Sequence, residues 1–242
     1  MRFDVNAALF KKLVDAVKDL VGTSNLEFTE QGIELNAMDT SHVSLVYLNI
    51  LDSLAKYEWD HQEILSINTE TLSKVLKTCE NDSMISCAST DTQLHITAFS
   101  NMKQSKFTVN LMDMENEKLT VEDQAYPCTI YMKTSEFHKV VKDLKEFGDS
   151  VTLQINPSRV GFITESCGEC MQVFFENNDE FKLVTEASME LSFSTKYLVF
   201  FCRACPLTDT VVLSIGEGLP LRVSFPFSSS EKLNFFLAPK ID

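Results

Sequence analysis

Apolar side chains recur along this chain with two periods, one helical and one strand-like, and the alternation between them divides the sequence into predicted elements. At about 100° per residue, Leu9, Phe10, Leu13, Val14, Ala16, Val17 and Leu20 share one arc of the window 8–20, while Lys11, Lys12 and Lys18 lie outside it. Gly22 closes this first helix. A second helix is predicted over 69–79, with Leu72, Val75, Leu76 and Cys79 inward and Lys74 and Lys77 outward. The window 134–145 buries Phe137, Val140, Val141 and Leu144, turns Lys139 and Lys142 outward and leaves Lys145 at the flank. The window 194–206 buries Leu198, Phe201, Cys202 and Cys205 and exposes Lys196 and Arg203. Period-two runs predict strands at 26–28, 33–37, 43–50, 84–88, 94–99, 107–111, 129–132, 151–155, 160–163, 171–175, 210–215 and 221–225.

The helices pair at a fixed spacing. Phe10, Lys12, Val14 and Lys18 match Phe137, Lys139, Val141 and Lys145 at an offset of 127. Leu72, Val75, Lys77 and Cys79 match Leu198, Phe201, Arg203 and Cys205 at 126. Two helix pairs at nearly one offset imply a duplicated unit. The stretch 112–126, with seven acidic or amide side chains and no glycine, then reads as a connector. The expected organisation is an α+β chain of two similar β-rich domains with two helices each, over 1–111 and 127–242. Leu119 and Val121 are branched aliphatics in the middle of this otherwise polar connector.

Charge sharpens the picture. The chain of 242 residues carries a net −14, which by itself argues against nucleic acid. Yet the four helical windows hold ten Lys or Arg against five Asp or Glu, leaving −19 on the remainder. Lys11, Lys12, Lys18, Lys74, Lys77, Lys139, Lys142, Lys196 and Arg203 form repeat-related basic faces. One basic helix face is ordinary solvated surface, but four at equivalent positions in an acidic chain point to phosphate. No recognition-helix or zinc-finger pattern accompanies them, so contact is expected to be sequence-independent.

Other chemistry is sparse. There is no apolar run of about 18 residues, hence no expected membrane span, and the beginning of the sequence lacks a signal-peptide layout. No GxxxxGK[ST], GxGxxG or GxSxG occurs, and His42 beside Asp39 or Ser41 is weak ground for catalysis, so no enzyme and no cofactor is expected. Seven cysteines include the CxxC pairs Cys167/Cys170 and Cys202/Cys205. Cys202 and Cys205 fall on the apolar side of their helix, which favours buried thiols over a zinc site.

The segments LNAMDTSHVSLVYL at 35–48, FFLAPKID at 235–242, FKKLVDAVKDL, LSKVLK, VNLMDM and YLVFFCRACPL together resemble the proliferating cell nuclear antigen family, the sliding clamps of eukaryotes and archaea. The resemblance runs from the first helix to the last residue. It implies a homotrimeric six-domain ring with helices lining a hole threaded by double-stranded DNA, and a nuclear location. It further implies opening by an ATP-driven clamp loader, and docking of DNA polymerase, flap nuclease and ligase through motifs of a glutamine, an aliphatic residue and two aromatics. The basic helix residues named above would be the inner surface. The docking groove would comprise Met38, His42, Val43, Leu45, Leu119, Val121, Pro220, Phe236, Ala238, Pro239 and Ile241. Subunits would join along the edge strands 103–109 and 168–175.

Some positions depart from the family pattern. Asn156, Pro157, Ser158 and Arg159 stand where a modifiable lysine is common, Phe236 replaces a tyrosine, and Asp242 alone follows LAPKI in place of an acidic tail. The alternative is a subunit of a checkpoint-type heterotrimeric clamp, against which the intact MDTSHVSL and LAPKI segments argue.

Overall fold

A computed structural model describes residues 1–114 and 124–240. The chain forms two compact units, one of Met1–Thr40, Val46–Val121 and Phe227–Leu233, the other of Ser41–Leu45, Glu122–Pro226 and Asn234–Asp242.

The first half runs β1 (Arg2–Asn6), α1 (Ala7–Val17), β2 (Thr23–Thr29), β3 (Gly32–Met38), β4 (Ser44–Ile50), β5 (Leu54–Glu58), β6 (Glu63–Asn68), α2 (Thr69–Lys77), β7 (Met84–Ser89), β8 (Gln93–Phe99) and β9 (Gln104–Asn110). The second runs β10 (Cys128–Lys133), α3 (Thr134–Phe147), β11 (Ser150–Asn156), β12 (Arg159–Ser166), β13 (Glu169–Glu176), β14 (Phe181–Thr185), β15 (Met189–Ser194), α4 (Thr195–Phe201), a 3-10 helix (Cys202–Leu207), β16 (Thr210–Ile215), β17 (Leu221–Pro226) and β18 (Lys232–Leu237). Element for element the order is the same, which makes this an α+β fold written twice.

Sheet topology repeats with it. The first half orders its strands β5-β1-β7-β8-β9 and β4-β3-β2-β6; the second orders the equivalents β14-β10-β16-β17-β18 and β13-β12-β11-β15. Neighbours such as β1 and β7, or β10 and β16, are antiparallel. The alternation that predicts strands decides which side chains turn inward: in β8, Leu94, Ile96 and Ala98 are buried, while His95 and Phe99 are exposed.

Even the helix starts are duplicated. The first amide of α1, at Ala7, donates to Ser83 O, and that of α3, at Thr134, to Asp209 O. The first amide of α2, at Thr69, donates to Gly22 O, and that of α4, at Thr195, to Asp149 O. Each acceptor lies just before a strand, so the carbonyl of one turn satisfies an amide that the helix cannot. The hydroxyls of Thr69 and Thr195 donate in parallel, to Val21 O at 2.7 Å and Gly148 O at 2.9 Å. Asn6 and Asn68 add side-chain caps, accepting from Ala8 N at 2.9 Å and Thr71 N at 2.8 Å.

Each core gathers beneath its helix pair, α1 against α2 and α3 against α4. Phe3 meets Phe10 edge to face at 6.0 Å and Phe28 at 5.8 Å in the first unit. In the second, Phe235 stacks on Phe201 at 4.5 Å and meets Phe225 edge to face at 6.0 Å. A buried carboxylate fastens the segment 227–233 within the first unit: Glu231, 6% exposed, accepts from Leu51 N at 2.7 Å and from the amide and hydroxyl of Ser53.

Two sequence expectations need correction. The first helix ends at Val17 instead of Leu20, because Leu20 N and Val21 N both turn back to Val17 O. The window 194–206 is not one helix: the α-helix stops at Phe201 and a 3-10 helix continues to Leu207. Pro206 explains this, since it has no N–H to offer Cys202 O and its ring crowds that carbonyl.

Candidate nucleic-acid interface and peptide groove

The lysines of the first unit are mostly engaged. Asp15 on α1 accepts from the Ser73 hydroxyl of α2 at 2.8 Å and from the Lys18 ammonium at 2.5 Å, and Lys18 also reaches Ser73 Oγ at 3.4 Å. Burial works to raise the Asp15 carboxyl, but the bonds from Lys18 and Ser73 outweigh it and hold it below its ordinary range. The Lys18 ammonium is raised, chiefly by its hydrogen bond to Asp15. Lys11 donates to Cys79 O and to Asn81 Oδ1, at 2.9 Å for the latter, and so closes the carbonyl end of α2. Lys74 pairs with Glu70 one turn earlier at 2.9 Å, with both side chains 70% exposed. Lys12 and Lys77 are exposed, and no carboxylate among the described residues pairs with either.

The second unit presents its cations differently. Lys139 and Lys142 on α3 are exposed and unpaired among the described residues, while Lys145 is tied to Asp149. Lys145 thus repeats Lys18 in being bound to a nearby carboxylate. On α4 the Lys196 ammonium lies over two rings, 5.6 Å from Tyr197 and 5.9 Å from Phe200. Arg203 is exposed on the 3-10 helix. Lys12, Lys77, Lys139 and Lys142 are therefore the side chains best able to meet phosphate without first leaving a partner.

The groove residues of the second unit converge through backbone bonds. The Ser44 hydroxyl donates to Phe236 O at 2.9 Å and Ala238 N donates to Val43 O at 3.0 Å. Lys240 N donates to Ser192 O at 2.8 Å, so the segment after β18 is drawn out between 43 and 192. Val43, Leu45, Phe236 and Pro239 are half-buried and Ala238 is exposed, an apolar edge open on one side. Alternation in β18 is responsible: Phe235 and Leu237 turn into the core, and Phe236 turns away from it. His42 is exposed and holds a φ of 57°, a left-handed position that histidine tolerates better than branched residues do. Pro220 is anchored through its carbonyl, which accepts from Tyr126 Oη at 3.0 Å, and the Tyr126 ring lies 4.7 Å beneath the Arg222 guanidinium. Met38 is half-buried at the end of β3 in the first unit. Leu119, Val121 and Ile241 lie outside the described residues.

Sequence reasoning had no means of finding the Asp15–Ser73 seam, since acidic residues on a basic face look like mere dilution of it. The role of Lys11 as a cap was equally hidden, because its partner lies 68 residues away. Tyr126, which supports Pro220, closes the connector and gave no signal beyond being aromatic. The two CxxC pairs fall in separate places, Cys167 and Cys170 around the β12–β13 turn and Cys202 and Cys205 in the 3-10 helix. Among the described residues no three His, Cys, Asp or Glu side chains converge as metal ligands.

Comparison with known proteins agrees on both halves. The family model for the proliferating cell nuclear antigen N-terminal domain matches residues 1–119, and that for the C-terminal domain matches residues 120–240. A proliferating cell nuclear antigen from Chaetomium thermophilum is 32% identical over 247 aligned positions, covering 97% of this chain and 95% of the relative.

Proposed function

The chain belongs to the proliferating cell nuclear antigen family of sliding DNA clamps, and from that premise we propose that it acts as a homotrimeric ring around duplex DNA. As such it is a processivity factor for replicative DNA polymerase and a docking platform for replication and repair enzymes, working in the nucleus.

The observation that carries the ring is a pair of open sheet edges. β9 ends its five-stranded order and β13 ends its four-stranded one, whereas their repeat equivalents β18 and β4 are held by the Ser44–Phe236 bond. Unpaired edges of this length expose rows of amides and carbonyls that need a partner. β13 of one chain aligned beside β9 of the next satisfies both, and charge favours the match: β9 carries Lys106, and β13 carries Glu169 and Glu176, all exposed. Three copies of two units make six, enough to surround a duplex.

Inside such a ring Lys12, Lys77, Lys139, Lys142, Lys196 and Arg203 hold phosphates without reading bases, and the contact allows movement along the duplex. The apolar edge formed by Val43, Leu45, Phe236, Ala238 and Pro239 takes the two aromatics of a glutamine-aliphatic-aromatic motif, and buried anchors of that kind supply most of the affinity. Clamp loading, polymerase, flap nuclease and ligase share this access.

Two measurements test the reading. The solution mass of the purified chain is expected to be three times that of the 27.4 kDa chain; a persistent monomer, or a stable assembly only with different chains, overturns the homotrimer. Loaded on nicked circular DNA, the protein is expected to stay until the circle is linearised. Loss that ignores topology argues for a scaffold that never encircles DNA.

A further inference from the structure

The seven cysteines are all reduced, and their surroundings sort them. Cys79, Cys87 and Cys128 are buried singly, and burial pushes Cys87 up and Cys128 up to about 11. Cys167 and Cys170 are exposed on either side of a tight turn, with their sulfurs turned to different neighbours, Ser166 Oγ at 3.8 Å and Gln172 Nε2 at 3.5 Å. Cys202 and Cys205 differ from all of these: they stand three residues apart on one 3-10 helix.

The 3-10 helix brings them together. At three residues per turn, positions i and i+3 eclipse, and a rise near 2.0 Å per residue sets their Cα atoms about 6 Å apart. That spacing falls inside the range of about 4.4–6.8 Å that a disulfide spans. Three residues apart, the two side chains share one face of the turn, which Pro206 closes. Cys205 is half-buried with its Sγ–H aimed at Thr134 O at 3.6 Å, and Cys202 is 8% exposed behind it. Cys205 is thus the more exposed of the two. The hydrogen bond with Cys205, and then burial, raise Cys202 and keep the last proton of the pair there, while the same bond lowers Cys205.

The first half holds no equivalent pair. Cys205 has a counterpart in Cys79, but the position matching Cys202 is Leu76, a fully buried apolar residue. A single thiol at the helix end serves packing in the first unit; in the second unit another thiol stands where the first has that apolar neighbour.

We propose that Cys202 and Cys205 form a redox-active dithiol that reacts with low-molecular-weight disulfides and closes into a disulfide across Arg203. The Cys205 thiolate attacks one sulfur of the small disulfide, forming a mixed disulfide and releasing the first thiolate. Cys202 then loses its proton to solvent and attacks Cys205 Sγ, expelling the second thiolate. Two electrons pass from the protein to the small disulfide, and the two protons given up by the cysteines end on the two released thiols. Closure pins the turn that holds Arg203 outward and Ala204 in the core. This does not depend on the clamp reading.

The test treats the folded, reduced chain with oxidised glutathione and follows intact mass and peptide maps. The expected product has lost two hydrogens, carries no glutathione, and bears its link within the peptide that contains Cys202 and Cys205; dithiothreitol reverses it. The Cys202→Ala variant is expected to retain one glutathione on Cys205, and Cys205→Ser to retain none at Cys202. Glutathione persisting on Cys205 of the unaltered chain overturns the proposal, as does a first link between Cys167 and Cys170, or a pair that stays reduced while those exposed thiols react. The unaltered chain decides the matter even where a variant fails to fold.

Discussion

Asp15 sits at the seam of α1 and α2 and accepts from two donors of different character, the Ser73 hydroxyl and the Lys18 ammonium. Its depressed carboxyl means that the folded state binds a proton more weakly than the unfolded chain does. The resulting stabilisation is present above the ordinary value of 3.8 and is lost as the pH falls through the lower folded-state value. Because Asp15 is 41% exposed, solvent screens the pair, and Asp15→Asn is expected to cost only about 0.2–1 kcal/mol at neutral pH. Thermal unfolding of the two proteins from neutral to strongly acid pH checks this: the difference should vanish in acid, and a difference constant with pH would show that the seam is held by packing alone. The same substitution removes one negative charge from a basic face. Retention on DNA should therefore hold or improve while stability declines.

At the scale of elements, the open edges of β9 and β13 are where the proposed subunit contact is most exposed to a single charge. Lys106→Glu places like charges opposite Glu169 or Glu176 of a neighbouring chain, and cross-strand pairs are worth about 0.2–1 kcal/mol each. The expected result is a severalfold weaker trimer by sedimentation, restored when Glu169→Lys and Glu176→Lys are added. A trimer indifferent to Lys106→Glu would place the subunit contact elsewhere. These two strands were legible from alternation, at 107–111 and 171–175, and so were all four helices, because Phe10, Leu13, Val14 and Val17, and their counterparts, keep a clean period. What escaped was of three kinds, besides β18, whose apolar run 235–237 masks its alternation. β5 and β14 are five-residue sheet edges: β5 has no buried position at all, and β14 alternates but is too short for Phe181 and Leu183 to stand out. β6 and β15 pass into α2 and α4 without an intervening turn, at Asn68–Thr69 and Ser194–Thr195, so the helical period that follows hides them. β1 carries Asp4 between Phe3 and Val5 and runs straight into α1. Of the candidate site, the basic positions were readable as a set, but which ammoniums were already bound was not: Lys11 depends on Cys79 and Asn81, brought to it by folding, and Lys18, beside Asp15 on its own helix, also meets Ser73 of α2.

Across the whole molecule the decisive quantity is the separation of charge, with +5 in the four helical windows and −19 elsewhere in a chain of net −14. An acidic protein repels a phosphate backbone on average, so the proposed contact with DNA requires the basic helix faces to outweigh that background. Lys77 and Lys139 are the strongest test because one belongs to each unit, neither is tied to a carboxylate among the described residues, and neither lies in the Val43–Pro239 groove. Reversing both to glutamate removes two cations per chain and adds two anions. Each phosphate left without its cation should flatten the dependence of log affinity on log salt by about 0.9. The double variant is therefore expected to slide off or fail to stimulate polymerase at salt concentrations the unaltered protein tolerates. Binding of a glutamine-aliphatic-aromatic peptide, measured by calorimetry, should stay unchanged. Loss of both activities would mean that the fold had failed, and full polymerase stimulation across the salt series would remove these two helix faces from the path of the DNA.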